Sequence, residues 1–256
     1  MDVIFISYKE PNAEENYQDL LSKFPYAKRV HGITGIYEAY YEASKLNSSD
    51  CFITVDGDTV VWDNLKDIEF NFTSDNQLIR YPTRNNVLGI VNASGSIKCM
   101  SKNIFNYITK DNFDKNVEWY RCDNIELIDN NNICVGETII NSSAYQAFCA
   151  GFREAFKTYS LFGISKKFKM RYTLSWCKEY EVKNGKSSAF GARLGFLHAI
   201  DDTISLVDVN NFEFLEELFT NCNIEDNYTT VTKEFKNKLY GIIKKDQYEN
   251  RINRTY

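Results

Sequence analysis

The stretch CFITVDGD, residues 51–58, is an apolar, β-branched run that ends in two aspartates separated by one glycine. Its first five residues are typical of a buried strand. Gly57 lets the backbone approach a ligand closely and adopt unusual dihedrals. Two carboxylates on a tight turn suit a hard divalent cation such as Mg²⁺ or Mn²⁺, which is often shared with substrate phosphates. The sequence therefore predicts a metal site at Asp56 and Asp58; the alternative is a solvated turn with acidic caps.

The fifty residues before this turn alternate between strand and helix patterns. Residues 3–8 and 27–30 read as short strands, and residues 13–24 and 36–46 carry apolar side chains at helical spacing. A strand–helix–strand–helix–strand order is typical of a parallel α/β sheet, in which ligands bind beyond the carboxyl ends of the strands. The turn at 56–58 lies at such an end.

The rest of the chain is less regular. We predict strands at 77–81 and 87–92, a turn at 94–96, a long helix over 143–162, a flexible Gly- and Ser-rich loop at 184–191, and two amphipathic helices between 211 and 250. These elements predict a mixed sheet flanked by helices. The predicted domains are residues 1–205 and a C-terminal helical extension, residues 206–256, packed on the same domain.

Composition and local sequence patterns argue against a surface built throughout for nucleic acid, a disulfide framework and a membrane span. The net charge of −5 argues against a surface built throughout for nucleic acid, although a local basic patch is compatible with it. Seven cysteines, an odd number without a CxxC pair, indicate reduced thiols in a cytosol. No signal-peptide pattern and no apolar run of roughly 18–20 residues is present, so we expect a cytoplasmic protein without a membrane span.

Candidate catalytic groups lie in the middle of the chain. Glu154, inside a largely apolar helix, is a candidate general base for deprotonating an acceptor hydroxyl, with Arg153 orienting it or binding substrate. The alternative is an ordinary exposed pair on a helix. Asp123 and Glu137 are rival bases, because each lies in an irregular stretch where active-site loops are found.

Basic residues cluster in two places. The run KKFKMR, residues 166–171, is interleaved with Phe168 and followed by Tyr172 and Trp176, and several lysines lie in the tail after residue 230. Lysines can contact an anionic acceptor, and aromatic rings can wedge between or stack on bases. The alternative, which is the more common arrangement for a charged helix face, is simple solvation.

Three of these segments together resemble the GT-A fold of nucleotide-sugar glycosyltransferases: the strand 3–8, the segment RVHGITGIYEAYYEA at 29–43, and VDGD at 55–58. The resemblance implies an α/β, Rossmann-like mixed sheet and a metal-dependent glycosyltransferase. It implies that Asp58 ligates the metal and that Asp56 approaches the donor ribose or a metal-bound water.

The resemblance also implies a donor site. The end of the first strand contacts the nucleoside in this fold, which assigns Ser7, Tyr8 and Glu10 to a uridine-type base. The segment before the second helix lies near the pyrophosphate, which assigns Arg29 or the backbone between Gly32 and Gly35 to phosphate. A late histidine often completes the metal shell, and this assigns His198, although an ordinary core or surface histidine is an equal alternative.

A narrower resemblance points to an acceptor. Residues 6–16, 27–32, 55–58 and 150–157 are similar to small glycosyltransferases of tailed phages. Some of these modify 5-hydroxymethylcytosine in phage DNA, which implies transfer from a UDP-sugar, with UDP-arabinose favoured, in the host cytoplasm. The alternatives are a protein, lipid or saccharide acceptor, or a non-catalytic nucleotide- or protein-binding module.

Overall fold

The structure is a computed structural model that describes residues 1–70, 72–116, 122, 124–130, 133–160 and 165–252. The chain forms two compact units, Met1–Ser142 and Ser143–Tyr256. The boundary predicted after residue 205 lies inside the second unit, and its role as a domain limit stays a prediction.

The first unit is built on an eight-stranded mixed sheet. Its strands are β1 (Asp2–Ser7), β2 (Lys28–His31), β3 (Cys51–Asp56), β4 (Thr59–Val61), β5 (Gln77–Asn85), β6 (Val91–Ser101), β7 (Glu126–Asp129) and β8 (Gly136–Thr138). They lie in the order β2-β1-β3-β6-β5-β8-β4, and β7 pairs with β5. β1 is parallel to β2 and β3, whereas β6 runs antiparallel to β3 and β5.

Helices accompany this sheet along the sequence. They are α1 (Ala13–Lys23), α2 (Ile36–Leu46) and α3 (Lys110–Asn116), and short 3₁₀ turns lie at Asp63–Asp67 and Ile104–Asn106. The sequence predicted an α/β, Rossmann-like mixed sheet flanked by helices, with further helices towards the C-terminus. That prediction is confirmed.

The sheet of the first unit has a hydrophobic core on each face, which explains why β1 and β3 are nearly continuous apolar runs. Successive strand residues point to opposite faces. Val3 and Phe5 therefore lie in a core with Leu20 of α1, whereas Ile4 and Ile6 lie in a second core with Ala43 of α2. The two helices thus cover opposite faces of β1.

The second unit is helical in its described part. It contains α4 (Ala144–Ser160), α5 (Lys166–Cys177), α6 (Gly185–Asp201), α7 (Phe212–Cys222) and α8 (Ile224–Ile252). Its core is rich in aromatic rings, including Phe148, Phe152 and Phe190. No helix in the described ranges is both long and apolar enough to cross a membrane.

Three local predictions are wrong. The loop expected at 184–191 is the first half of α6, and its two glycines lie against backbone: Gly191 against Phe148 of α4, and Gly185 against Tyr180. The strand expected at 87–92 is mostly a turn between β5 and β6, closed by bonds from the backbone of Val87 and Leu88 to the Asn85 side chain. The turn expected at 94–96 lies within β6, which continues through it.

Candidate active site

The turn Asp56-Gly57-Asp58 joins β3 to β4 at the carboxyl ends of three parallel strands. Ile6 of β1 lies opposite Asp56, and Ser7 lies opposite His31 of β2. The ends of β1, β2 and β3 therefore meet at one edge of the sheet. This is where an open α/β sheet carries its ligands.

Gly57 is enclosed by the segment that follows β1. A Cβ atom at this position would lie 2.7 Å from Glu10 Oε2 and 2.8 Å from Ser7 Cβ, closer than real Cβ contacts allow. The buried side-chain amide of Asn16 donates a hydrogen bond to the Gly57 carbonyl at 3.0 Å. The loop after β1 and helix α1 thus fix the backbone of the turn.

Glu10 is a third acidic group at this edge. Its Oε2 accepts a hydrogen bond from the Tyr8 backbone N–H at 2.7 Å. Burial raises the pKa of Glu10, opposed by the Tyr8 hydrogen bond and reinforced by the negative charge of Asp56. Glu10 and the Asp56–Asp58 turn are therefore close enough to interact electrostatically.

Arg29 is anchored on the α1 side of the sheet. It donates to Ser7 Oγ at 3.1 Å and to Glu14 at 2.6 Å, and its guanidinium lies 4.9 Å from the ring centroid of Tyr17. Ser7 Oγ is also 2.9 Å from Nδ1 of His31. The structure therefore brings Ser7 and Arg29 together, while a contact between Arg29 and phosphate stays a prediction.

The segment before α2 carries both glycines assigned to phosphate. Gly32 and Gly35 have φ of +74° and +100°, values that favour glycine. The Gly32 N–H donates to the Ser7 carbonyl at 3.0 Å. A Cβ atom at Gly35 would lie 2.1 Å from the Glu38 carboxylate, so an anionic side chain already lies at the first turn of this helix.

Asp56 is bound by two residues that the sequence analysis did not identify. The Tyr40 hydroxyl on α2 donates to Asp56 Oδ1, and the Lys98 ammonium on β6 lies 3.4 and 3.5 Å from its two carboxylate oxygens. Burial raises the pKa of Tyr40 well above its ordinary value, and the charge of Asp56 adds to this. One signal was available: Lys98 interrupts an otherwise apolar strand run at 97–100.

Asp58 directly precedes β4 and is bonded to the residue that follows β8. Its carboxylate accepts a hydrogen bond from Thr59 Oγ1 at 3.2 Å, and its carbonyl accepts one from the Ile139 backbone at 2.7 Å. Glu137, expected in an irregular stretch, is instead in β8, because that segment pairs with both β4 and β5. Its carboxylate lies 3.8 Å from Arg84.

The two aspartates fit a divalent ion that is shared with a substrate. Carboxylate oxygens are its preferred ligands. Within the described ranges, however, no three His, Cys, Asp or Glu side chains are grouped closely enough to hold a metal by themselves. Water and substrate phosphate oxygens would therefore have to complete the coordination.

Three of the remaining four candidates belong to the second unit. Arg153 donates to Asn210 Oδ1 at 3.0 Å, and Glu154 lies 3.2 Å from Lys157. His198 Nδ1 is 2.5 Å from Thr203 Oγ1, and burial lowers the pKa of the imidazole. Asp123, the last of the predicted bases, lies outside the described residues. The roles of these four residues stay predictions.

No protein-family model matches the chain, and no curated protein matches it significantly. Among solved structures, a glycosyltransferase involved in glycosylation of the major capsid of PBCV-1 is 11% identical, with 56% of this chain and 94% of that chain covered and a TM-score of 0.35. The inositol-1-phosphate CTP transferase from T. maritima is 10% identical, with 54% and 69% covered and a TM-score of 0.32. These likenesses are too slight to assign a function.

Proposed function

We propose that this chain is a glycosyltransferase that moves a sugar from a nucleotide-sugar donor to a hydroxyl acceptor. The observation that carries the proposal is the Asp56-Gly57-Asp58 turn, which follows a buried strand at the edge where three parallel strands end. An enclosed glycine between two carboxylates offers a compact place for a cation and a diphosphate. The resemblance of roughly residues 1–100 to nucleotide-sugar enzymes supports the choice of donor.

The site suggests a division of roles. Ser7, Tyr8 and Glu10 would contact a uridine-type base, and the backbone between Gly32 and Gly35 would face the diphosphate. Asp58 would hold Mn²⁺ or Mg²⁺, which would stabilise the negative charge that develops on the leaving diphosphate. Glu137, Glu154 and Asp123 remain candidates for the base, and His198 remains a candidate metal ligand.

The favoured acceptor is the hydroxymethyl group of 5-hydroxymethylcytosine in DNA, with UDP-arabinose as the favoured donor. An exposed basic and aromatic helix supports a polyanionic acceptor: Lys166, Lys167 and Arg171 of α5 are exposed, and Phe168 is 54% exposed. Phe168 stacks on Tyr172 with 5.8 Å between ring centroids. A base buried in duplex DNA would have to be extruded before transfer.

The test is a donor screen with purified protein, Mn²⁺ and DNA that contains 5-hydroxymethylcytosine, followed by mass spectrometry of the nucleosides. Asp58→Ala is expected to lower kcat/KM by at least about a hundredfold, since an interaction with developing charge is lost. Asp63→Ala is the matched control, because this exposed carboxylate pairs with Lys66 outside the turn.

The outcomes separate the alternatives. Failure of the wild type to bind or turn over any nucleotide sugar with metal present would overturn the proposal and favour a non-catalytic binding module. Transfer to a protein, lipid or saccharide but not to modified DNA would keep the glycosyltransferase and remove the DNA acceptor.

A further inference from the structure

Lys98 is a buried cation inside the sheet, next to the candidate donor site. Only 5% of its surface is exposed. It lies opposite Thr54 in the antiparallel β3–β6 pair. Residues two apart on a strand share a face, so Lys98 is a diagonal neighbour of Asp56.

Lys98 reaches the Asp56 carboxylate both directly and through Tyr40. Its ammonium lies 3.4 Å and 3.5 Å from the two oxygens of Asp56. It donates a hydrogen bond to the Tyr40 hydroxyl, which itself donates to Asp56, and it lies 4.5 Å from the centroid of the Tyr40 ring. Tyr40 thus bridges the cation and the carboxylate from the side of α2.

Burying an ammonium group is costly unless a nearby anion and hydrogen bonds compensate its charge. Asp56 supplies that negative charge here, although 36% of its side chain remains exposed. The Asp56 carboxylate is therefore held towards the sheet by Lys98 and Tyr40. A divalent ion at the same turn would be repelled by the Lys98 charge.

We propose that Lys98 is a positioning residue that holds Asp56 in place and weakens cation binding at the turn until the donor diphosphate is present. The inference rests on the proposed function and deepens it. Asp58 then provides the direct contact to the cation, and Lys98 and Tyr40 act on the site by holding Asp56. The positive charge of Lys98 repels the cation, whereas the negative charge of the diphosphate attracts it. Binding of the cation therefore depends on binding of the donor.

The test measures Mn²⁺ affinity without donor, by calorimetry or by the electron paramagnetic resonance of free Mn²⁺. Lys98→Met removes the charge and frees Asp56. Its affinity for Mn²⁺ is expected to rise on the order of tenfold, the effect of one unit charge on a divalent ion a few ångströms away in an aqueous setting. Its kcat/KM with donor is expected to fall, because Asp56 is no longer held.

Lys66→Met is the matched control: it removes the same charge from an exposed side chain that pairs with Asp63. It is expected to leave both values unchanged. A purely structural role for Lys98 would lower stability and would not raise Mn²⁺ affinity. Lys98→Gln, which keeps a hydrogen-bond donor, provides a second neutral variant should Lys98→Met fail to fold.

An unchanged or weaker Mn²⁺ affinity in the folded neutral variant overturns the inference, as does a lack of Mn²⁺ binding in both wild type and variant. Raised affinity combined with no transfer by the wild type supports the role of Lys98 in cation binding but overturns the proposed function. Transfer by the wild type with unchanged Mn²⁺ affinity in the variant overturns this inference alone.

Discussion

At the scale of single residues, the geometry of the turn depends on Gly57, which separates the two aspartates. It lies against Ser7 and Glu10 on one side, and its carbonyl is bound by Asn16. The position therefore accepts no side chain, and the geometry of the turn depends on that absence.

We expect Gly57→Ala to lower kcat/KM for the donor by at least about tenfold, because small displacements of positioning groups have large kinetic effects. The added methyl group must displace the Glu10 carboxylate and the Ser7 Cβ, and the turn moves with them. Steady-state kinetics with varied donor, together with circular dichroism to confirm folding, checks this. Normal kinetics in a folded variant would show that the turn is not part of the site.

Sequence-based prediction identifies residues that a local pattern marks, and it misses residues whose contacts depend on how distant strands pair. Asp56 and Asp58 became candidates because they end or directly follow an apolar strand, and Ser7 and Glu10 because the resemblance to the GT-A fold assigns the end of the first strand to the donor. Lys98 was missed, since its contact with Asp56 depends on the register between β3 and β6, in which Thr54 and Lys98 lie opposite each other although they are far apart in the chain. Local patterns carry no information about that register.

At the scale of elements, α4 and α6 pack with their backbones in direct contact. A Cβ atom at Gly151 would lie 2.1 Å from the Ser188 carbonyl oxygen, and one at Gly191 would lie 2.2 Å from that of Phe148. Gly195 has the same relation to Phe152 at 2.3 Å. Glycine on one helix face here indicates close packing.

The sequence predicted α2 correctly but missed the first half of α6. The bounds of α2, Ile36–Leu46, were predicted correctly because its apolar residues follow a helical period. The first half of α6 was missed because glycine and serine are typical of loops, and composition alone does not distinguish a loop from a helix that approaches another closely.

We expect Gly191→Ala to destabilise the protein by about 3 kcal/mol, since the new methyl group meets backbone and forces the helices apart. Gly241→Ala is the control: it lies within α8, where an added methyl group would have no neighbour within 4 Å, and it should stabilise by about 0.5–1 kcal/mol. Urea unfolding of both variants measures the difference. Similar effects for the two would mean that α4 and α6 are not in backbone contact.

At the scale of the whole molecule, charge is unevenly distributed along an acidic chain. The net charge is −5, yet the first turns of α5 carry exposed lysines and no acidic residue. Attraction of a polyanion would therefore be local. The composition predicted this possibility, but only the structure assigns the run at 166–171 to one helix, with Lys166, Lys167 and Arg171 exposed and Lys169 half-buried.

If α5 contacts a DNA acceptor, the triple variant Lys166→Gln, Lys167→Gln, Arg171→Gln should raise KM for modified DNA and leave kcat unchanged. The slope of log KM against log salt concentration should decrease by about two to three, roughly one for each phosphate that the variant no longer neutralises.

The control is a triple variant with the same loss of charge on exposed positions of α8, Lys233→Gln, Lys236→Gln and Lys244→Gln. It should leave the salt dependence as in the wild type. Equal effects of both triple variants would indicate general electrostatics and not a contact surface on α5.

The glycine contacts between α4 and α6 also determine which positions of this protein tolerate substitution. In a saturation library, Gly151, Gly191 and Gly195 should be as intolerant of substitution as the proposed metal ligand Asp58, although the proposed reaction assigns them no role. A library scored for abundance and again for transfer would distinguish them. The glycines should be depleted in both scores, and Asp58 only in the second.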